Sequence, residues 1–95
     1  MNVTRHLRIA GRVQGVGYRD ALRRVALANG VAGWVRNRRD GTVEAVLQGA
    51  PAAVDAVLAW AQRGPPAARV SGIDAQPAQG ELDRPHSGFD CLPTA

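Results

Sequence analysis

The order of elements in the sequence predicts an α+β fold, in which two helices cover one face of a mostly antiparallel sheet of four or five strands. Stretches that alternate apolar and polar residues are typical of strands with one buried face. Two longer segments carry a single apolar stripe at helical spacing. Together they read strand, helix, strand, strand, helix, strand. Because every element is apolar on one side only, a two-layer arrangement buries all of these faces together.

The first strand and the first helix form the N-terminal unit. The strand is predicted over residues 6–13, with a buried face of Leu7, Ile9 and Val13. The helix is predicted over residues 19–29, with a buried face of Leu22, Val25, Ala26 and Asn29. Gly30 follows as a left-handed residue that ends this helix.

Two strands joined by a tight turn come next. The second strand is predicted over residues 31–37, and the third begins at Thr42. Between them, Asp40 and Gly41 form one of the dipeptides that favour a hairpin turn. We therefore expect these two strands to pair with each other in antiparallel orientation.

The second helix is marked at both ends. Pro51 begins it, and Gly64 with the two prolines that follow ends it. Its apolar stripe consists of Val54, Val57, Leu58 and Ala61.

The C-terminal part supplies the remaining strands. A fourth strand is predicted over residues 68–74 and a short last strand over residues 88–92. Residues 76–87 contain two prolines and mixed charge, which predicts a mobile loop. The complete order is that of a ferredoxin-like βαββαβ sandwich, and residues 1–95 are predicted to form one domain.

The composition is that of a globular protein, 45% hydrophobic and 21% charged. No apolar run reaches the length of about 18 residues that a membrane span requires. The N-terminal residues lack the apolar segment of a signal peptide. The single cysteine, Cys91, can form no internal disulfide, which suits a reducing compartment. We therefore predict a cytoplasmic protein without a membrane-spanning segment and, since no apolar patch is evident, a monomer.

The charged residues exclude some chemistries and leave others open. The net charge is +4, and all 12 basic residues are arginine. The absence of lysine excludes a Walker A loop, a Schiff base and a lysine general base. A basic chain suits anionic partners, and the charge does not choose between phosphate groups and nucleic acid. Arg36, Arg38 and Arg39 are predicted to lie in solvent, where they would steer an anionic substrate.

The stretch VQGVGYRDA, residues 13–21, places an arginine at the start of a helix. Glycines at positions 15 and 17 break the chain, and Arg19 lies at or near the first turn. A helix start already carries unpaired N–H groups and a partial positive charge, so acidic residues are usual there. A bound phosphate would explain Arg19, because loop N–H groups and a guanidinium both donate to its oxygens. From spacing alone, an Arg19 that extends into solvent explains the pattern equally well.

Asn37 stands where the second strand meets the hairpin. Asparagine is common there because it tolerates turn geometry, so a structural role is the simpler explanation of this residue taken alone. We expect the second strand to lie beside the first, which would bring Asn37 near the glycine loop. An amide in that place can hydrogen-bond both a water and a phosphoryl oxygen.

Two stretches resemble the signature sequences of a known enzyme family. GRVQGVGYR over residues 11–19 and GWVRNRRDGTVE over residues 33–44 are similar to the signatures of the acylphosphatases in content, order and separation. The resemblance extends over residues 7–70 and includes the two-helix layout. It implies an enzyme that hydrolyses acyl phosphates, the mixed anhydrides of a carboxylic acid and phosphate, to a carboxylate and inorganic phosphate.

The resemblance also implies roles for individual residues. Arg19 would bind the phosphate, Asn37 would hold the attacking water, and Thr42 matches a hydroxyl position that steadies that asparagine. The main-chain N–H groups that assist Arg19 would be those of Gln14, Gly15, Val16, Gly17 and Tyr18. No metal and no cofactor is implied. A carboxylate leaving group, whose conjugate acid has a pKa of about 4–5, needs no general acid.

A non-catalytic module that binds RNA or another anion is the alternative. RNA-recognition modules share the βαββαβ layout and stack bases on exposed aromatic residues of the central strands. This chain has only two tryptophans, one tyrosine and one phenylalanine, and none of its strands is rich in them. The sequence therefore favours a small acyl phosphate over nucleic acid as the partner.

Overall fold

The computed structural model describes residues 1–95 and contains two α-helices and five strands. The strands are β1 (Val3–Arg12), β2 (Ala32–Asn37), β3 (Val43–Gly49), β4 (Arg69–Pro77) and β5 (Phe89–Cys91). The helices are α1 (Tyr18–Ala28) and α2 (Pro51–Ala61), and a short 3₁₀ helix spans Gly80–Asp83. The predicted ferredoxin-like βαββαβ order is confirmed, together with the fifth strand.

The strands form one sheet in the order β4-β1-β3-β2-β5. The pairs β1–β3, β1–β4 and β2–β3 are antiparallel, whereas β5 runs parallel to β2. The sheet is therefore mostly antiparallel, as predicted. The expectation that the second strand lies beside the first is wrong, because β3 lies between them. The tight hairpin turns β3 back along β2, and the other edge of β3 then pairs with β1.

Both helices pack on the same face of the sheet and against each other. The strands contribute buried aliphatic side chains at Leu7, Ile9, Val35, Val43, Ala45 and Leu47. The helices contribute Tyr18, Leu22, Ala26, Val54, Val57 and Ala61. Burial of one large apolar side chain contributes about 1.5–3 kcal/mol, whereas isolated helices of 11 residues are marginal in water. The shared core therefore holds the helices in place, and neither is long and apolar enough to cross a membrane.

Tyr18 anchors the start of α1 in this core. Its ring lies beside that of Trp60, with centroids 5.8 Å apart, and its hydroxyl donates to the carbonyl oxygen of Ala61 at 2.7 Å. Burial raises the pKa of the Tyr18 hydroxyl, which therefore stays a neutral donor. This hydrogen bond and ring contact thus join the first turn of α1 to the last turn of α2.

The end of α1 differs from the prediction at one residue. Asn29, expected on the buried face, is exposed, and its side-chain amide donates to the carbonyl oxygen of Val25 at 2.8 Å. It occupies the C-terminal cap, where the chain leaves the helical path and helical spacing no longer applies. Gly30 has φ 68°, the left-handed conformation predicted for it.

Residues 76–87, predicted as a loop, contain regular structure. β4 continues to Pro77, and the 3₁₀ helix follows. Gln48 of β3 donates to the carbonyl oxygen of Arg84 at 2.8 Å and accepts from the backbone N–H of His86 at 2.7 Å. Composition did not predict this order because the partner of these peptide groups lies on a distant strand.

Candidate active site

The connection between β1 and α1 is a glycine loop, residues 13–17. Gly15 and Gly17 have φ of 73° and 78°, whereas no non-glycine residue has positive φ. No heavy atom lies within 4 Å of the place where a Cβ would stand at either glycine. Glycine is therefore required by the backbone conformation and not by crowding. Left-handed residues that alternate with residues of negative φ are typical of loops whose N–H groups converge on an anion.

Arg19 lies in the first turn of α1, directly after this loop. No side chain caps α1, so the first N–H groups of the helix have no side-chain partner. Arg19 is half-buried, and no carboxylate pairs with it. The ion pairs of the protein are formed by His6, Arg8, Arg24, Arg36 and Arg38. Uncapped N–H groups and an unpaired guanidinium in one place suit an anion with several oxygens.

Asn37 is the last residue of β2 and lies opposite Val43 of β3. Its carbonyl oxygen accepts from the N–H of Ala95 at 3.0 Å, and the N–H of Arg39 donates to the carbonyl oxygen of Ala95 at 2.9 Å. The side-chain Oδ1 of Asn37 is buried and has no hydrogen-bond partner in the protein. A buried acceptor left unpaired costs about 1–3 kcal/mol. This oxygen is therefore suited to accept a hydrogen bond from water or from a substrate group.

Gln14 joins the glycine loop to the hairpin that follows Asn37. Its side-chain Nε2 donates to the carbonyl oxygen of Arg38 at 2.7 Å and to that of Thr42 at 2.9 Å. Although β3 separates β1 from β2 in the sheet, the loop after β1 and the turn between β2 and β3 lie side by side. The two stretches that resemble the acylphosphatase signatures therefore meet at one edge of the molecule.

Thr42 acts on the hairpin turn and not on Asn37. Its hydroxyl donates to Oδ1 of Asp40 at 2.6 Å, and its backbone N–H donates to the same oxygen at 3.0 Å. These two hydrogen bonds, together with Arg8 and Arg38, lower the pKa of the Asp40 carboxyl. The Thr42 hydroxyl thus donates to a local acceptor two residues earlier, so the support for Asn37 that the resemblance implies would act through this turn.

A charged cluster on the sheet face away from the helices is a feature that sequence reasoning missed. Glu44 of β3 is only 5% exposed. Its Oε2 lies 2.6 Å from Nε2 of His6, and its Oε1 lies 2.7 Å from Nε of Arg36 and 3.4 Å from Nη1 of Arg38. Burial alone would raise the pKa of Glu44, but hydrogen bonds from His6 and Arg36 and their charges lower it.

This cluster corrects the expectation for two of the arginines. Arg36 and Arg38 are partners of a buried carboxylate and not solvated charges, whereas Arg39 is exposed as expected. The register shows the origin of the cluster, since Arg36 on β2 lies directly opposite Glu44 and His6 on β1 lies two residues from the position opposite it. The alternation of apolar and polar residues places these side chains on the same face of the sheet. That they lie close together can be inferred only when the strand order is known.

The sheet face away from the helices offers little for base stacking. Trp34, the aromatic residue there, is 8% exposed and lies under the guanidinium of Arg36, 4.8 Å from its ring centroid. Tyr18 and Phe89 are buried in the core. The alternative of an RNA-binding module therefore gains no support from the structure. No group of three or more His, Cys, Asp and Glu side chains is arranged to hold a metal ion.

Comparison with known proteins gives one consistent result. The acylphosphatase family model matches residues 5–91. An acylphosphatase from Thiobacillus denitrificans is 54% identical over 87 residues, which are 92% of this chain and 93% of that protein. One from Azoarcus sp. is 54% identical over 93 residues, which are 95% of this chain and 89% of that protein.

A solved structure extends the similarity to the fold. The structure of an acylphosphatase from Coxiella burnetii superposes on this chain with a TM-score of 0.87 at 31% sequence identity. The superposition covers 96% of this chain and 93% of that chain.

Proposed function

We propose, from the premise that this chain belongs to the acylphosphatase family and hydrolyses acyl phosphates, that Arg19 and Asn37 are its catalytic pair. The enzyme is a hydrolase that acts on an acid anhydride. The observation that carries our assignment is an unpaired Arg19 and an unpaired Oδ1 of Asn37 on two segments that the side chain of Gln14 ties together.

The phosphate would be held by the glycine loop and Arg19. The N–H groups of residues 14–18 would donate to two or more phosphate oxygens, as left-handed Gly15 and Gly17 allow. The guanidinium of Arg19 can donate two parallel hydrogen bonds to the same group. Because a loose phosphoryl-transfer transition state spreads charge over the phosphoryl oxygens, these donors stabilise it more than covalent help would.

The nucleophile would be a water held by Oδ1 of Asn37. Its oxygen attacks phosphorus, the bond from phosphorus to the acyl oxygen breaks, and the electron pair leaves with the carboxylate. An oxygen of the phosphate takes the proton of the water. The carboxylate leaves without protonation, so the site needs no general acid and no metal to activate the leaving group.

Thr42 would contribute indirectly. Through Asp40 it closes the turn that follows Asn37, so it would hold the water-binding strand end in place. The cradle contacts mainly the phosphate, and we expect the acyl part of the substrate to vary.

The position of bond cleavage tests the attack of water at phosphorus that this assignment requires. Hydrolysis of benzoyl phosphate in ¹⁸O-labelled water, with EDTA present, is followed by mass spectrometry of both products. Attack at phosphorus places the label in inorganic phosphate, whereas attack at the acyl carbon places it in benzoate. Label in benzoate contradicts the proposed water position, and loss of turnover in EDTA contradicts a metal-free mechanism.

The remaining assignments are part of the same proposal. Small acyl phosphates are the substrate class of the family. We propose that residues 1–95 act as a single cytoplasmic domain, a monomer that does not bind nucleic acid, which the lone cysteine and the scarcity of exposed large apolar side chains support.

A further inference from the structure

The side chain of Gln14 forms the direct link between the two halves of the candidate site. Gln14 is half-buried, and both hydrogen bonds of its Nε2 cross to the β2–β3 turn, 24 and 28 residues away in the chain. The acceptors are the carbonyl oxygens of Arg38 and Thr42, which stand at the two ends of that turn. Arg38 directly follows Asn37.

The turn does not need Gln14 to satisfy its carbonyl groups. The carbonyl oxygen of Arg38 also accepts from the N–H of Gly41 at 3.1 Å, and that of Thr42 also accepts from the N–H of Arg38 at 2.8 Å. Each oxygen has two lone pairs, so both keep a partner when the amide is removed. What Gln14 adds is a fixed distance between the glycine loop and the strand end that carries Asn37.

We infer that the side chain of Gln14 is a positioning residue for the hydrolysis, which sets the water on Asn37 in line with the phosphorus of the bound acyl phosphate. This inference rests on the proposed function, and it concerns the side-chain amide and not the main-chain N–H of the cradle. The cradle binds the phosphate on one segment, and Asn37 orients the water on another. A direct tie between the segments keeps the angle and distance of attack constant.

Loss of this tie has a distinct kinetic signature. The loop N–H groups and Arg19 still bind the substrate, so its affinity changes little. The water is less well aligned, so the chemical step slows. A residue that merely stabilised the fold would lower the fraction of active enzyme without this separation of kcat from KM.

The test compares Gln14→Met with Gln14→Glu and with a matched glutamine elsewhere. Methionine keeps the length of the side chain and removes both donors. Gln48 is the control, because its Nε2 also donates twice across the sheet, to Oγ1 of Thr4 at 2.9 Å and to the carbonyl oxygen of Arg84 at 2.8 Å. Glutamate keeps the shape of Gln14 and donates only when it is protonated, so it does not rely on the folding of the methionine variant.

Phosphate release from benzoyl phosphate is measured for all four proteins from pH 4 to pH 7. We expect kcat of Q14M to fall by roughly 10- to 100-fold while KM stays within about twofold. We expect kcat of Q48M to match the wild type. The ratio of kcat for Q14E to wild type should rise as the pH falls, whereas the ratio for Q14M should stay flat.

Three outcomes overturn the role of Gln14: kcat of Q14M close to wild type, an equal loss in Q48M, or a ratio for Q14E that does not depend on pH. A wild type without turnover above the uncatalysed rate contradicts the proposed function itself. A wild type that turns over beside an equally active Q14M contradicts only the role of Gln14.

Discussion

The two helices of this protein begin in different ways, although neither has a side-chain cap. α2 follows Ala50, which has φ −58° and ψ 142°, and its first residue is Pro51. Proline presets the helical φ and removes one N–H that would otherwise lack a partner. α1 instead follows Gly17 in the left-handed conformation and carries Arg19 in its first turn.

The comparison shows what separates an ordinary helix start from one suited to an anion. The lack of a side-chain cap does not by itself indicate an anion site, because α2 also lacks one. At α1 the donors are retained, the preceding loop is turned by two left-handed glycines, and a cation is added where the helix dipole is already positive. A like charge there costs about 0.3–1 kcal/mol without a ligand, and a bound phosphate reverses the sign of that interaction. On the proposed assignment, the start of α1 gives up stability that a bound phosphate would restore, whereas the start of α2 does not.

The largest expected effect is the loss of Arg19. Arg19→Ala should lower kcat/KM for benzoyl phosphate by about 10³-fold or more, as removal of an arginine that stabilises phosphoryl transfer does. Its melting temperature should stay the same or rise, because the variant removes a charge from the positive helix end. Arg63→Ala, at an exposed position just after α2, is the control and should match the wild type. An Arg19→Ala enzyme within tenfold of wild type would contradict the contrast between the two helix starts.

Asn37→Ala should have the next largest effect. We expect kcat to fall by roughly 100-fold with KM little changed, because the variant removes the group that orients the water and leaves the phosphate cradle intact. Steady-state kinetics check this, with Asn29→Ala as the control because Asn29 is an exposed amide at the end of α1. A raised KM at normal kcat would place Asn37 in substrate binding instead.

Two glycines of similar conformation sharpen the comparison further. Gly17 has φ 78° and Gly30, after the end of α1, has φ 68°, and a Cβ at either position meets no atom within 4 Å. Alanine at either should therefore lower the free energy of unfolding by the same amount, about 1–2 kcal/mol. Only Gly17→Ala should also lower kcat/KM, by about tenfold, because it turns N–H groups away from the phosphate. Denaturant titration measures the stability of both variants, and steady-state kinetics measures their kcat/KM. Equal kcat/KM for the two would show that the glycine loop is not part of the active site.

The smallest expected effect lies on the opposite face of the sheet, at Glu44. The pKa of Glu44 is lowered in the folded protein from its ordinary value of 4.5. Its stabilising contribution is therefore present above that value and is lost as the pH falls through the lowered one. As the pH falls below 4.5, wild type should lose more stability than Glu44→Gln. Parallel curves from denaturant titration would contradict this, and kcat should be the same in both at pH 7.

Local signals predicted much of the fold and singled out the two segments that carry Arg19 and Asn37. The strand pattern, the hairpin at Asp40-Gly41 and the left-handed Gly30 are properties of neighbouring residues, and each predicts its element directly. Arg19 after two glycines was readable for the same reason.

Contacts between distant segments could not be read in this way. Gln14 donates to carbonyl groups 24 and 28 residues away, and Glu44 meets His6 across 38. The register that joins them depends on β3 lying between β1 and β2, the one point of topology at which the expectation was wrong. The hydroxyl of Thr42 donates to the local acceptor on Asp40, and the role expected for it at Asn37 stays a prediction.

The central claim is that the start of α1, and not that of α2, binds phosphate. It is tested most directly by titrating ¹⁵N-labelled protein with inorganic phosphate and following the backbone amide resonances. We predict saturable shifts for residues 14–19 that are absent in Arg19→Ala, and no comparable shifts for residues 52–54 at the start of α2. Equal shifts at both helix starts, or none at the glycine loop, would contradict the account.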